Sequence, residues 1–283
     1  MTATRNHLAK LLNETTPGIP ISATELRDRF SISPQLAKHY VDQGLLRRLG
    51  AGVFYLSNDP ISIYGALNFL QYRGVGLHVA GKTALAWQGI SHNVYLRETT
   101  VIWGKSKAGL PKWVRDNYLT RYSSADIFAF ENEQLDRLTR QPSPFRPFGV
   151  YCSCPERAIL ELLSEVGVKE TWEEAHNIFE LVGTVREPVM GALLQACTSL
   201  KAKRLFVSWA DDTGLLDVSD LLASFDISVG NANQWKITLS PGRKTSIKKV
   251  QPLAHGSDEK SRRNHPALIR SFPAGLKPKK VSQ

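Results

Sequence analysis

Residues 22–56 read SATELRDRFSISPQLAKHYVDQGLLRRLGAGVFYL, and the punctuation of this stretch decides the fold. Ser22 and Glu25 have the S-x-x-E spacing in which each side chain can satisfy a backbone N–H at a helix start. A helix over 22–30 follows, and Ser31-Ile32 make a turn. Ser33 suits the N-cap of the next helix, because its oxygen can accept from an otherwise unpaired N–H. Pro34 suits the first helical position, where its missing donor costs nothing. That helix runs to about Gln43, and Gly44 is placed to end it in a left-handed conformation. Beyond Gly44 the period changes. Residues 45–49 and 53–56 are short β-prone runs, joined by Gly50-Ala51-Gly52 in a loop of hairpin length.

Upstream, Leu8, Leu11 and Leu12 recur at the i, i+3, i+4 spacing of a helix with one apolar face, and Thr15-Thr16-Pro17-Gly18 breaks it. Three helices and a Gly-turned hairpin within 60 residues outline a winged helix-turn-helix. In such modules the second helix of the pair enters the DNA major groove. Here its outer face carries Gln35, Lys38, His39 and Asp42, leaving Leu36 and Tyr40, with Ala37 and Val41, for packing. Gln can bond bidentately to adenine, and Lys to guanine or phosphate. Ser31, Ser33 and the helix N-terminus can hold a phosphate. Arg47 and Arg48 lie in the wing, where alternation leaves at least one facing DNA. The candidate DNA-binding residues are therefore Ser33, Gln35, Lys38, His39, Arg47 and Arg48. The competing reading is a winged helix that packs on a protein, since residues 1–60 hold only 7 basic against 5 acidic side chains.

Charge is unevenly spread over the 283 residues. The net +10 divides into a basic 1–150, an acidic 151–235 (6 Lys/Arg, 13 Asp/Glu) and a basic 236–283 (12 Lys/Arg, 2 Asp/Glu). This pattern points to a polyanion partner at one or both ends. At 42% hydrophobic residues the chain can build real cores, yet no apolar run approaches the ~20 residues that cross a bilayer. Residues 1–12 lack a signal-type apolar segment, so a cytoplasmic protein with no membrane partner is expected. Cys152, Cys154 and Cys197 are too few and too oddly spaced for a disulfide framework or a zinc site, and neither metal nor cofactor is expected.

Further along, helices are expected over 61–73, 81–88, 155–167, 171–182, 188–201 and 217–224, with strand-like runs at 95–103 and 119–123. From about Ser240 the composition turns to Pro, Gly, Ser, Lys and Arg. The domain reading is therefore a DNA-binding unit over 1–60, an α+β unit over 61–239 and a disordered basic tail over 240–283.

Residues 76–83, GLHVAGKT, satisfy G-x-x-x-x-G-K-[ST], the pattern of a phosphate-binding loop. The chemistry argues against it. Three of the four intervening residues are apolar, none is Gly, and the segment before reads as a helix rather than a strand. Residues 205–211 could imitate a magnesium-binding partner strand, but no run of βα units connects the two. The plainer reading is a helix from near Ala80 with Ala84, Leu85 and Trp87 in the core. No catalytic motif is found, and no catalytic residue is assigned.

Three stretches in order carry a family resemblance: Gly52-Val53-Phe54-Tyr55 at the wing's end, residues 77–90, LHVAGKTALAWQGI, and residues 155–163, PERAILELL. Together they resemble the AbiEi-type antitoxins of type IV toxin–antitoxin systems over about residues 5–200. The resemblance implies an α+β protein with an N-terminal winged helix that represses its own operon at inverted repeats in double-stranded DNA. It also implies a following domain that counteracts a nucleotidyltransferase-like toxin, with no stable complex required. The long basic tail departs from the family. The alternative is a plain winged-helix regulator whose C-terminal domain dimerises or senses a ligand.

Overall fold

The structure is a computed structural model that describes residues 2–73, 76–92, 98–131, 133–143, 146–230, 235–239 and 243–250. It opens with α1 (Thr2–Glu14), β1 (Ile21–Ser22), α2 (Ala23–Asp28), α3 (Pro34–Asp42), β2 (Leu46–Gly50) and β3 (Val53–Leu56). These strands form an antiparallel sheet of order β1-β3-β2, so β2 is an edge. Leu11, Leu26, Phe30, Ile32, Ala37, Tyr40, Leu46 and Phe54 bury a small core of their own. The winged-helix outline is thus built as the sequence implies, with one addition. The two residues of β1, too few to show a period, pair Ile21 with Phe54 and Ser22 with Val53.

The local signals act as physics requires. Ser22 Oγ accepts from Glu25 N–H at 3.0 Å. The Glu25 carboxylate reaches Arg29 at 3.4 Å, a bond of its own rather than the return half of a capping box. Ser33 caps α3 by accepting from Leu36 N–H at 3.2 Å. Gly44, with φ +71°, turns the chain so that Leu45 N–H closes on Tyr40 C=O.

The second unit follows with α4 (Ile63–Tyr72), β4 (Leu77–Val79), α5 (Gly81–Trp87), β5 (Thr100–Gly104), α6 (Lys112–Asn117), β6 (Thr120–Ser123), α7 (Glu133–Leu138), β7 (Arg140–Pro142) and β8 (Tyr151–Ser153). Next come α8 (Pro155–Glu165), α9 (Trp172–Glu180), α10 (Glu187–Ala196), α11 (Leu200–Thr213), α12 (Val218–Ser224) and a hairpin, β9 (Trp235–Leu239) with β10 (Arg243–Ile247). The mixed sheet has order β6-β5-β4-β8-β7. Its central pair, β4 and β8, is parallel, as are β5 and β6; β4–β5 and β7–β8 are antiparallel. Helix α8 is central: its residues 156–163 and Glu165 are buried, charged ones included.

Two sequence expectations need correction. The helix expected over 188–201 is two helices, broken at Cys197–Ser199, and the second, α11, runs on through residues 205–211, which therefore cannot be the partner strand that a phosphate loop would need. Every residue from Leu205 to Ala210 is buried on it, Ser208 included, so the helix is enclosed on all sides and shows no one-faced period in the sequence. The folded part also runs past 239. β10 pairs along β9, Val250 is buried, and Lys248 pairs with Asp211 and Asp212 at the end of α11. Of the expected tail, residues 240–242 and 251–283 lie outside the described residues, as do residues 95–97 of the strand-like run at 95–103. Among the described residues no helix is long and apolar enough to cross a membrane.

Candidate nucleic-acid interface

Helix α3 has two faces. Ala37 and Tyr40 are buried and Leu36 and Val41 half-buried, which fastens the helix to the small core. Gln35, Lys38, His39 and Asp42 are exposed, and their i, i+3, i+4, i+7 spacing makes one continuous outward stripe. Ser33 and Ser31 are exposed at its N-terminal end. Ser31 holds φ +54°, which a short polar side chain tolerates better than a bulky one. The Ser33 hydroxyl oxygen is occupied by its cap bond, and its O–H remains free to donate.

Arg47 and Arg48 lie on β2, the strand that leaves the C-terminal end of α3. Both are exposed, and alternation sends them to opposite faces. Arg48 is paired across the sheet with Phe54, and its guanidinium lies 5.5 Å from that ring. Arg47 is opposite Tyr55. The structure thus gathers Ser33, Gln35, Lys38 and His39 on one surface of α3 and carries the two arginines on the adjoining wing.

The phosphate-loop match has a different use. Gly81 N–H donates to Glu161 Oε2 at 3.1 Å, so a carboxylate of the protein occupies the backbone donor that would face a phosphate. Lys82 Nζ pairs with Glu170 at 3.0 Å and Glu174 at 3.1 Å. Burial works against its charge, but these two carboxylates outweigh burial and hold the ammonium above its ordinary range. Thr83 Oγ1 donates to Thr99 C=O and accepts from Val101 N–H. Gly81, Lys82 and Thr83 are all consumed by the fold. Thermal-shift titration with Mg-ATP is expected to leave the melting temperature unchanged in wild type and in Lys82→Ala. A stabilisation that Lys82→Ala removes would restore the nucleotide reading.

Glu161 is also the centre of a buried cluster that sequence reading missed. It is fully buried and takes bonds from His78 Nε2 (2.9 Å), Ser153 Oγ (2.8 Å) and Arg157 Nε (2.8 Å) besides Gly81. Arg157 Nη1 continues to Asp136 at 2.7 Å, and its guanidinium stands 5.1 Å from the Phe128 ring. Burial would raise the Glu161 carboxyl, yet His78 and Arg157 overcome it and hold the group at about 2. Burial keeps His78 below its ordinary value against the pull of Glu161. The partners come from β4, α5, β8, α7 and α8, so the cluster staples the sheet to its central helix. The only local hint was a run of charges, Glu156, Arg157, Glu161 and Glu165, inside an apolar helix. The three cysteines are buried; burial lifts Cys152 to about 11 and Cys154 to about 12, which keeps both as unreactive thiols.

Two family models match the chain, together over residues 4–245. Residues 4–96 match the N-terminal domain of the AbiEi antitoxin transcriptional regulators, and residues 97–245 match the transcriptional regulator, AbiEi antitoxin, of type IV toxin–antitoxin systems. The first match takes in β4 and α5, which complete the second unit's sheet and core. A search of curated proteins finds no match. Among solved structures, the crystal structure of the RV2827C protein from Mycobacterium tuberculosis is similar in fold. Its TM-score is 0.53 at 13% identity, covering 84% of this chain and 89% of that one. With a winged helix in place and both halves matched in order, the chain belongs to the AbiEi antitoxin family, the transcriptional regulators of type IV toxin–antitoxin systems.

Proposed function

We propose that this protein represses the operon that encodes it, seating α3 in the major groove of inverted repeats, and counteracts a nucleotidyltransferase-like toxin from the same operon. The observation that carries the DNA half is the outward stripe on α3, flanked by Arg47 and Arg48 on the wing. In this reading Gln35 and Lys38 read base edges, His39 adds a contact beside them, Ser33 donates to a phosphate at the helix start, and at least one of the two wing arginines holds the backbone. The toxin half rests on family membership and on the acidic 151–235 block, which is unsuited to lie on DNA.

Arg47→Ala with Arg48→Ala is expected to weaken duplex binding about tenfold or more. It should also lower the slope of log K against log salt by about 1 to 2, because each lost phosphate contact releases fewer counterions. An unchanged gel-shift titration, with circular dichroism showing an intact fold, would remove the wing from the interface. Co-expression with the neighbouring reading frame tests the toxin half: growth is rescued if the reading holds, and a folded protein that gives no protection ends it.

A further inference from the structure

The tip of β2 touches a residue from outside the winged helix. Gly50 ends β2, next to an irregularity in the register between Arg48 and Gly50. Its φ is not positive, so no backbone demand explains a glycine there. Space does: a Cβ at Gly50 would lie 2.7 Å from Cδ1 of Trp113, on α6 of the second unit. Trp113 is 8% exposed and backed edge-on by Phe69, with ring centres 6.3 Å apart. Leu49 and Val53, on either side of the wing turn, pack against the same second core. One side of the wing thus rests on α6, whereas Leu46 and Phe54 belong to the first core.

This placement has a mechanical consequence. β2 is an edge strand whose register shifts between Arg48 and Gly50, so the pairing that ties it to β3 is interrupted at its far end. Arg47 and Arg48 stand immediately before the break. Where they reach depends on what holds the strand's far end, and there Gly50 abuts Trp113 between Leu49 and Val53, which pack on the same second core.

We propose that Trp113 is a positioning residue for DNA binding: by seating on Gly50 it fixes the wing relative to α3, so the phosphate contacts of Arg47 and Arg48 depend on the second unit. The inference rests on the wing reading given above. It also separates two effects of α6. The helix need not touch DNA for its loss to weaken binding.

The test is a salt titration of the full chain on a short duplex of arbitrary sequence, between about 50 and 200 mM salt, because phosphate contacts carry no base information. Trp113→Ala is expected to lower the salt slope by about 1 to 2, as Arg47→Ala/Arg48→Ala does. Combining the three changes should lower it no further, since all act through one wing. Trp113→Phe should restore most of the slope. A role in stability alone would lower the melting temperature without moving the slope of the folded protein. Should Trp113→Ala fail to fold, Gly50→Ala decides, because its methyl pushes the wing off the indole while leaving the second core's own residues intact. A folded Trp113→Ala or Gly50→Ala with an unchanged slope, beside an arginine variant that loses slope, overturns the positioning role alone. A further fall in the combined variant overturns it as well, since Trp113 would then act elsewhere. An arginine variant with an unchanged slope removes the wing reading and this inference with it.

Discussion

Glu161→Ala is expected to destabilise the protein by about 3–5 kcal/mol, the range for breaking a buried pair by removing one partner. The cost comes from what is left behind. Arg157 keeps its charge and retains only Asp136 as a carboxylate partner, while the Gly81 N–H, the Ser153 hydroxyl and His78 Nε2 lose their acceptor inside a core. Glu161→Gln should cost less, because an amide oxygen still accepts, though its NH2 must face at least one existing donor. Chemical denaturation followed by tryptophan fluorescence measures both. An alanine variant within about 1 kcal/mol of wild type would mean that the cluster relaxes or hydrates freely, and that its bonds do not staple α8 to the sheet.

The same residue sets a direction with pH. The Glu161 carboxyl titrates at about 2 in the folded protein, below its value of about 4.3 in an unfolded chain. Its contribution is complete above the unfolded value and is lost as pH falls from there toward 2. His78 is held below its ordinary value, so the unfolded chain takes up its proton first, and stability again falls as pH drops below about 6.5. The two act together, so acid should unfold wild type progressively. Glu161→Gln should lose the lower part of that dependence.

Gly65→Ala is expected to be the most damaging substitution of its kind among the described glycines. A Cβ at Gly65, in the first turn of α4, would lie 1.7 Å from the carbonyl oxygen of Gly18, and the obstacle is backbone rather than a side chain that could swing away. Gly18 cannot easily retreat. It holds φ +78°, its N–H donates to Asp59 at 2.6 Å, and the Phe148 ring covers its other side. Overpacking costs about 1–3 kcal/mol where neighbours can adjust, so a loss of about 3 kcal/mol or more is expected here. That corresponds to a melting temperature lower by roughly 6–12 °C. Gly44→Ala is the control: Gly44 also has positive φ, but nothing lies within 4 Å of its would-be Cβ, so only the left-handed strain of about 1–2 kcal/mol applies. If Gly65→Ala melts no lower than Gly44→Ala, the two units do not approach there as closely as the structure has them.

The order of elements in the winged helix could be read directly, because its signals act within a few residues. Ser22, Ser33, Pro34 and Gly44 each satisfy or release a backbone group at a helix end, and the spacing of Gln35, Lys38, His39 and Asp42 becomes a face as soon as α3 forms. The helices expected over 81–88, 155–167 and 171–182 and the strand-like run at 119–123 were legible for the same reason. Where a local signal was diluted, the reading failed. In α11 apolar residues fill so much of the helix that its period is hidden, and β10 is written in Arg, Lys, Thr and Ser, residues that also compose a tail.

What the sequence determined alone was therefore the kind of each well-punctuated element and the surface that α3 turns outward. The tertiary structure alone decided which charges are buried and which glycines are spaces. Glu161 meets Gly81 across 80 positions and His78 across 83, and the Gly18 carbonyl meets α4 only when two cores are packed together. Burial and close approach are properties of distant segments brought into contact, and the free energy of a buried carboxylate or a missing methyl is defined only once that contact exists.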